Sequence, residues 1–307
     1  MRALSSLGTL DAPRAGRRAC RPGPQRIVLA LAPTARSLQL ETDDARIARY
    51  VRLAYGATIV DSVAEPSDVA VVSTGTGKTI VSFNGIDALR EWPAAGTESW
   101  RSGAYVVDQL VWQTLAGERT WTALYACAVV IHGRAVLLAG ASGVGKTTLG
   151  LALQRLGARV IGDEMIVMRS GPSAVDAIDR RLSVRWRAGD PLGDPSLHGL
   201  IRREAATIGF GRNRFLAIDR RAFGAPPSQA PLAATFVLSR AGGSPRIAAA
   251  GTTRTALALG PYAARRPNGL EEVARLAEVL SAGRCFTLSL ADPNASARAI
   301  LEELETC

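Results

Sequence analysis

Lysine is almost absent from this 307-residue chain: Lys78 and Lys146 are the only two, and the other 35 of its 37 basic residues are arginine. Histidine is as scarce, with His132 and His198 alone, which excludes a histidine-rich metal site. The four cysteines, Cys20, Cys127, Cys285 and Cys307, form no C-x-x-C pair and have no metal-ligand spacing. That is the usage of a reduced, cytoplasmic protein rather than of a disulfide scaffold. No apolar run reaches the roughly 18–20 residues of a membrane span, so no membrane partner is expected. Aromatic residues make up 5% of the chain and nowhere interleave with a basic stripe. The net charge of +10 therefore does not point to nucleic acid, and a nucleotide is the partner favoured by so much arginine, whose planar fork suits phosphates and carboxylates. The hydrophobic fraction of 47% and charged fraction of 21% are those of a globular protein, with length for one large or two modest domains.

Against these absences stands one dense motif, Gly140-Ala-Ser-Gly-Val-Gly-Lys-Thr-Thr148, which fits G-x-x-x-x-G-K-[ST] in full. The apolar run 135–139 precedes it, and Leu149, Leu151, Ala152, Leu153 and Leu156 follow at helical spacing, which is the strand–loop–helix context the motif needs. Glycines at 140, 143 and 145 let successive backbone N–H groups of Ser142, Gly143, Val144 and Gly145 curve around a phosphate. The helix behind them turns its positive end to the same anion. Lys146 is expected to reach the β/γ-phosphates, Thr147 to hold Mg²⁺ and Thr148 to complete the cradle. A second stretch, Gly75-Thr-Gly-Lys-Thr79, mimics the end of such a loop, but the position of its first glycine is Val72 and a strand follows it. It is read as a hairpin tip between runs at 69–72 and 79–83.

Three segments are expected along the chain: a disordered basic leader over 1–25, rich in Arg, Gly and Pro; a small mixed α/β module over 26–120; and a strand-rich nucleotide-binding domain over 121–307. In the module, Asp43 or Asp44 caps a helix bearing Ile47, Tyr50, Val51 and Leu53, and a second helix runs from about 102 to 117. From 121 onward, short apolar runs at 122–130, 135–139, 158–161, 165–168, 174–178 and 183–186 crowd around the single strong helix 147–156. This differs from the regular alternation of a doubly wound fold. Residues 188–232 read as a long irregular excursion with one apolar piece at 215–218, and His198 within it as a solvated loop residue. Arg185 and Arg187 alternate with apolar residues on a strand, facing either solvent or the nucleotide. A hairpin joins 234–239 to 246–249. A helix (268–280), a strand (285–290) and a helix (294–305) capped by Asp292 with Pro293 at its first position close the chain.

A phosphate loop works with a carboxylate that orders Mg²⁺ or activates a nucleophile. Asp163 and Glu164 stand directly after the apolar run 158–161, seventeen residues beyond Lys146. The competing reading of this acidic pair is a polar turn between two strands. From Ala135 to Val167 the loop, helix, Arg-Val-Ile strand and acidic pair resemble the HPr kinase/phosphorylase family, and more closely its short stand-alone kinase-like members. The resemblance implies an HPr kinase/PEP carboxykinase-like core, use of ATP and Mg²⁺, Asp163 as general base and Glu164 as support for the metal or the base. Some stand-alone members phosphorylate a serine of a lasso-peptide precursor. The family's histidine, about fifteen residues before the first loop glycine, is replaced here by Tyr125, and the signature used for phosphorylase chemistry has no match.

The resulting expectation is a cytoplasmic, Mg²⁺-dependent hydroxyl kinase acting on a serine or threonine of a peptide or small protein. A nucleotide-binding regulatory module with little turnover and a small-molecule hydroxyl kinase are the alternatives, and the resemblance leaves a homo-oligomer open. Lys146→Ala should abolish tight MgATP binding with the fold intact, whereas Lys78→Ala should leave affinity unchanged. Calorimetry on the two variants decides it, because a comparable loss at Lys78 would assign the nucleotide to the wrong loop.

Overall fold

The computed structural model describes residues 23–75, 78–88, 99–118, 120–169, 174–186, 205–210, 213–224, 229–240, 242–264 and 270–306. The leader expected over 1–25 lies outside these residues as far as 22, as do Arg187, His198 and the hairpin tip 76–77. The described residues divide into two compact units, one within Met1–Glu118 and Ala206–Ala217, the other within Arg119–Ala205 and Ile218–Cys307.

The first unit contains β1 (Gln25–Ala30), β2 (Ser37–Thr42), α1 (Ala45–Tyr55), β3 (Ile59–Val60), β4 (Asp68–Gly75), β5 (Lys78–Phe83), β6 (Ile86–Ala88) and α2 (Ser99–Ala116). Its strands form one sheet in the order β3-β1-β2-β4-β5-β6. Asp44 caps α1, its Oδ1 accepting from the Arg46 N–H at 2.8 Å, which satisfies an N–H that the helix itself leaves unpaired. Ile47, Tyr50 and Val51 are buried as their spacing predicts, whereas Leu53 is only partly so. The hydroxyls of Tyr50 and Tyr55 both donate to Asp108 of α2, at 2.7 and 2.6 Å, tying the two helices together. β4 and β5 are antiparallel with Gly75 opposite Lys78. Lys78 thus opens a strand, and no helix terminus follows it.

The second unit is built on β7 (Trp121–Ile131), β8 (Arg134–Ala139), α3 (Lys146–Arg155), β9 (Arg159–Arg169), β10 (Ala174–Ala177) and β11 (Leu182–Trp186). Next come β12 (Ala205–Phe210) and β13 (Asn213–Ile218), two paired strands that fall almost wholly in the first unit's excursion. Ordered strands therefore occupy part of the segment 188–232 expected to be irregular. The unit is completed by β14 (Ala230–Arg240), β15 (Arg246–Ala249), α4 (Thr252–Leu259), α5 (Leu270–Leu280), β16 (Arg284–Leu290) and α6 (Pro293–Glu305). The main sheet runs β10-β9-β7-β8-β14-β16-β15, and β10 also pairs with β14, so five strands close a ring. The fold is mixed α/β and rich in strands around one phosphate-loop helix, compatible with the HPr kinase-like core implied by the sequence. Among the described residues no helix is long and apolar enough to cross a membrane.

Alternation along β7 divides its side chains between two faces. Leu124, Ala126, Ala128 and Val130 join a buried cluster with Leu137, Ile166, Met168, Val175, Ala177 and residues of α4 and α5. Cys127 and Val129 meet α3 on the other face, where a Cβ added at Gly150 would lie 2.6 Å from the Cys127 sulfur. Two expectations are corrected. The runs 158–161 and 165–168 belong to one strand, β9, which passes through both acids without a turn. The segments 234–239 and 246–249 do not form a hairpin, because β16 lies between them, parallel to β14 and antiparallel to β15. The reason lies in burial: β14 is apolar on both faces and needs a neighbour on each side, with Phe236 stacked on Phe286 of β16 at 4.9 Å. The short, exposed β15 tolerates an edge. The helix α4 is not foreshadowed by any spacing noted in the sequence.

Close approach of α3 to β7 depends on the missing side chain at Gly150. Gly150→Ala should destabilise the fold by about 1–3 kcal/mol through overpacking. In Cys127→Ala the same substitution should cost far less, since the sulfur it strikes is gone. Denaturant unfolding of the four-member mutant cycle measures the coupling.

Candidate functional site

The carboxyl ends of three neighbouring parallel strands, β8, β14 and β16, meet at one edge of the second unit's sheet. Ligands in open α/β sheets bind at such edges, where strands end and loops begin. The phosphate-loop motif leaves β8 there. Gly140 has φ +147 and its added Cβ would strike the Leu238 carbonyl oxygen of β14 at 2.8 Å. Gly143 and Gly145 are also left-handed, at φ 76 and 122. These three positions admit glycine for steric reasons, and they fold residues 140–145 over the first turn of α3.

Lys146, at the start of that helix, is 5% exposed. Its ammonium donates to the carbonyls of Gly140 at 2.9 Å and Ala141 at 3.1 Å and lies 4.1 Å from the centroid of the Tyr125 ring. Burial lowers its pKa, and the charges of Asp163 and Glu164 oppose that shift. Tyr125 projects from β7. Burial, followed by the charge of Glu164, pushes its phenol up to about 12, with the Ser142 side chain working the other way. It is neutral at physiological pH and so is a hydrogen-bonding and stacking group rather than a base.

Asp163 stands on β9 directly opposite Cys127, which sets it on the helix-facing side of the sheet. It is 2% exposed. Its Oδ2 accepts from the Thr147 hydroxyl at 2.7 Å. Its Oδ1 is buried and has no hydrogen-bond partner among the described residues. Burial raises the carboxyl pKa; the Thr147 hydrogen bond and the charges of Lys146 and Arg180 hold it down in part.

Glu164 follows on the same strand, where alternation alone would turn it toward the apolar cluster beside Ala126, its cross-strand partner. Its backbone is instead left-handed, φ 69, an uncommon state for a non-glycine residue and one that costs roughly 1–3 kcal/mol. The carboxylate, 23% exposed, pairs with the buried guanidinium of Arg180 at 2.5 Å and still acts on Tyr125 and Lys146. Arg220 donates to the carbonyl of Ile161, just before the acids, and pairs with Asp179 at 3.1 Å.

The fold thus gathers Lys146, Thr147, Asp163, Glu164 and Tyr125, all singled out from sequence, within one network. Lys78 lies in the first unit's hairpin instead. Arg180, Arg220 and Arg240, the last placed beside the loop by β14, were not singled out. Only the sheet order brings them to the site, and no local motif marks them. His132 lies in the two-residue turn between β7 and β8 with φ 49, exposed and without a contact to the network.

No family model matches this chain, and no curated protein matches it. Among solved structures it is similar to the HPr(Ser) kinase/phosphatase from Coxiella burnetii, at 16% identity, over 62% of this chain and 95% of that one, with a TM-score of 0.29.

Burial of Asp163 has a pH signature. Its folded pKa is raised, so the stability it permits is complete below the unfolded value of about 4 and is lost as pH rises through the folded value. Asp163→Asn should therefore gain melting temperature relative to wild type between pH 4 and pH 8. Thermal unfolding across that range checks it, and a pH-independent difference would contradict the burial argument.

Proposed function

We propose that this chain is an ATP-dependent hydroxyl kinase. The observation that carries the proposal is the pairing of a complete phosphate loop with Asp163, a buried carboxylate hydrogen-bonded to Thr147 through one oxygen and unpartnered at the other. Loop N–H groups and Lys146 bind and orient the β- and γ-phosphates, Lys146 leaving its carbonyl partners to do so. The acceptor hydroxyl surrenders its proton to Asp163 Oδ1 as its oxygen bonds to the γ-phosphorus and the bond to the ADP oxygen breaks. A carboxylate whose pKa is raised from its ordinary value by burial is, in its ionised form, a better proton acceptor. Positioning and charge stabilisation supply most of the acceleration.

Magnesium fits the donor set. Thr147 offers a hydroxyl and Asp163 orients it, both hard oxygen groups suited to this ion. Among the described residues no cluster of three or more His, Cys, Asp or Glu is assembled; Thr147 would hold the ion, with Asp163 orienting its hydroxyl. When bound, it neutralises phosphate charge. Glu164, expected from sequence to support metal or base, is assigned to support of the base, because its ion pair with Arg180 fixes the strand that carries Asp163. The acceptor is proposed to be a serine or threonine hydroxyl of a peptide or small protein. The regulatory-module alternative draws on Lys146, whose ammonium is engaged by its own loop.

Asp163→Asn separates the two readings. MgATP affinity should stay within a few fold while transfer of labelled γ-phosphate to serine-bearing peptides, followed by mass, falls at least roughly 10²-fold. Wild-type protein that binds MgATP but phosphorylates no peptide, protein or small hydroxyl compound would favour the module. A variant that transfers as well as wild type would remove Asp163 as the base.

A further inference from the structure

We propose that Arg240 is a second phosphate-binding cation of this site, delivered in cis from the strand beside the phosphate loop and directed at the terminal phosphate of the nucleotide. The inference rests on the nucleotide reading above and adds a residue that the loop motif does not contain.

The first support is topological. β14 runs parallel to β8, with Val237 opposite Ala139. The chain leaves β8 at Gly140 to form the loop, while β14 continues for three more residues to Arg240 along the loop's flank. The Leu238 oxygen already limits Gly140 to glycine, so the two segments are in contact before the guanidinium is considered. Arg240 Nη2 then donates to the carbonyl of Gly143, in the middle of the loop, at 2.5 Å.

The second support is the nature of that partner. Among the described residues Arg240 has no carboxylate within ion-pair distance, whereas Arg180 is paired with Glu164 and both Arg220 and Arg221 with Asp179. A neutral carbonyl occupies one of five donors of a group whose best partner is a phosphate or carboxylate met by two parallel bonds. Lys146 is held in the same manner, by the carbonyls of Gly140 and Ala141. Two cations thus lie against three carbonyls of one loop, one at the buried helix start and one at the exposed strand end. A polyphosphate in the cradle offers both a stronger partner within a side-chain rotation. Arg240 is exposed, so its movement disturbs no packing.

The third support is role. Lys146 stands at the head of α3 and Arg240 at the end of β14, so the two cations come to the loop from different elements. A second cation on the loop is suited to the charge that is redistributed as the γ-phosphoryl group leaves.

The test compares nucleotides that differ by that phosphate. Full-length wild type, Arg240→Ala, Arg240→Lys and Lys146→Ala are titrated calorimetrically with Mg²⁺ and either ADP or a non-hydrolysable ATP analogue. Arg240→Ala should weaken the triphosphate roughly 10-fold or more, the scale of a lost hydrogen bond to a charged group. ADP affinity should change less than about threefold. Arg240→Lys should fall between, keeping charge but losing the fork. Lys146→Ala should lose both ligands. An unchanged ratio of triphosphate to ADP affinity in Arg240→Ala, whether both stay or both fall together, would overturn the inference and leave Arg240 as a brace for Gly143. Wild type that binds neither nucleotide would overturn the nucleotide reading itself, an outcome distinct from a normal wild type with an unaltered ratio. Melting temperature of Arg240→Ala should match wild type, which excludes misfolding as the cause of a loss.

Discussion

Burial of one carboxylate behind the first turn of α3 constrains most of the second unit. Asp163 is almost wholly removed from water, and a buried charge is tolerated only with hydrogen-bonding and charged partners close by. Thr147 supplies the first and Lys146 and Arg180 supply the second. Each partner has its own structural requirement. Thr147 and Lys146 arrive only if α3 lies tight on β7, which demands glycine at 150 against Cys127. Arg180 arrives only if the chain turns back after β10, where the Arg180 N–H bonds the Ile178 carbonyl at 2.7 Å. The left-handed backbone at Glu164 then gives that arginine a second carboxylate. A strained residue, a close helix contact and a buried ion pair are parts of one arrangement around a single charge.

The sheet determines where that arrangement opens. β8, β14 and β16 end together, and the loop at their ends is shaped by its neighbours as much as by its own glycines. Gly140 has no room for a side chain because of the β14 backbone, and a Cβ at Gly145 would lie 3.5 Å from Leu290 at the end of β16. Pro293 and Asp292 begin α6 just beyond, with Asp292 Oδ1 accepting from the N–H groups of Asn294 and Ala295 at 2.9 and 3.0 Å. That helix returns alongside α3, where Arg155 donates to Asn294 at 3.1 Å. The loop is therefore braced by segments more than 90 residues away in sequence, which a local motif cannot encode.

This division explains what the sequence made legible. The loop, α3, the α1 cap as one of Asp43 and Asp44, the β4–β5 hairpin and the last helix were readable because each is written in contiguous residues of fixed spacing. The acidic pair was readable as a pair, but its geometry was not. Nothing in Arg-Val-Ile-Gly-Asp-Glu announces that β9 runs through it with one left-handed residue, because that state is stabilised by Arg180, from another segment. The pairing of 234–239 with 246–249 failed for a similar reason. Two apolar runs across a glycine-rich link look like a hairpin, yet the 234–239 part of β14, apolar on both faces, lies between β8 and β16, the latter some fifty residues further on. Arg240 was invisible as a loop-side cation because its significance lies in strand order alone.

The near-absence of lysine acquires a physical meaning at this site. Arginine has replaced it almost everywhere, including in the ion pairs with Glu164 and Asp179, where a broad, weakly hydrated fork makes several directed bonds. Lys146 is different. Its ammonium sits in a narrow space bounded by two loop carbonyls, the face of Tyr125 and the start of a helix, with nearly all of its surface removed from solvent. A compact ammonium on a flexible stem suits that position, since it can both rest there and advance toward a phosphate, whereas a guanidinium is a broader, planar group. In a chain so rich in arginine, buried Lys146 marks a position where size and mobility of the charge matter more than the number of its donors.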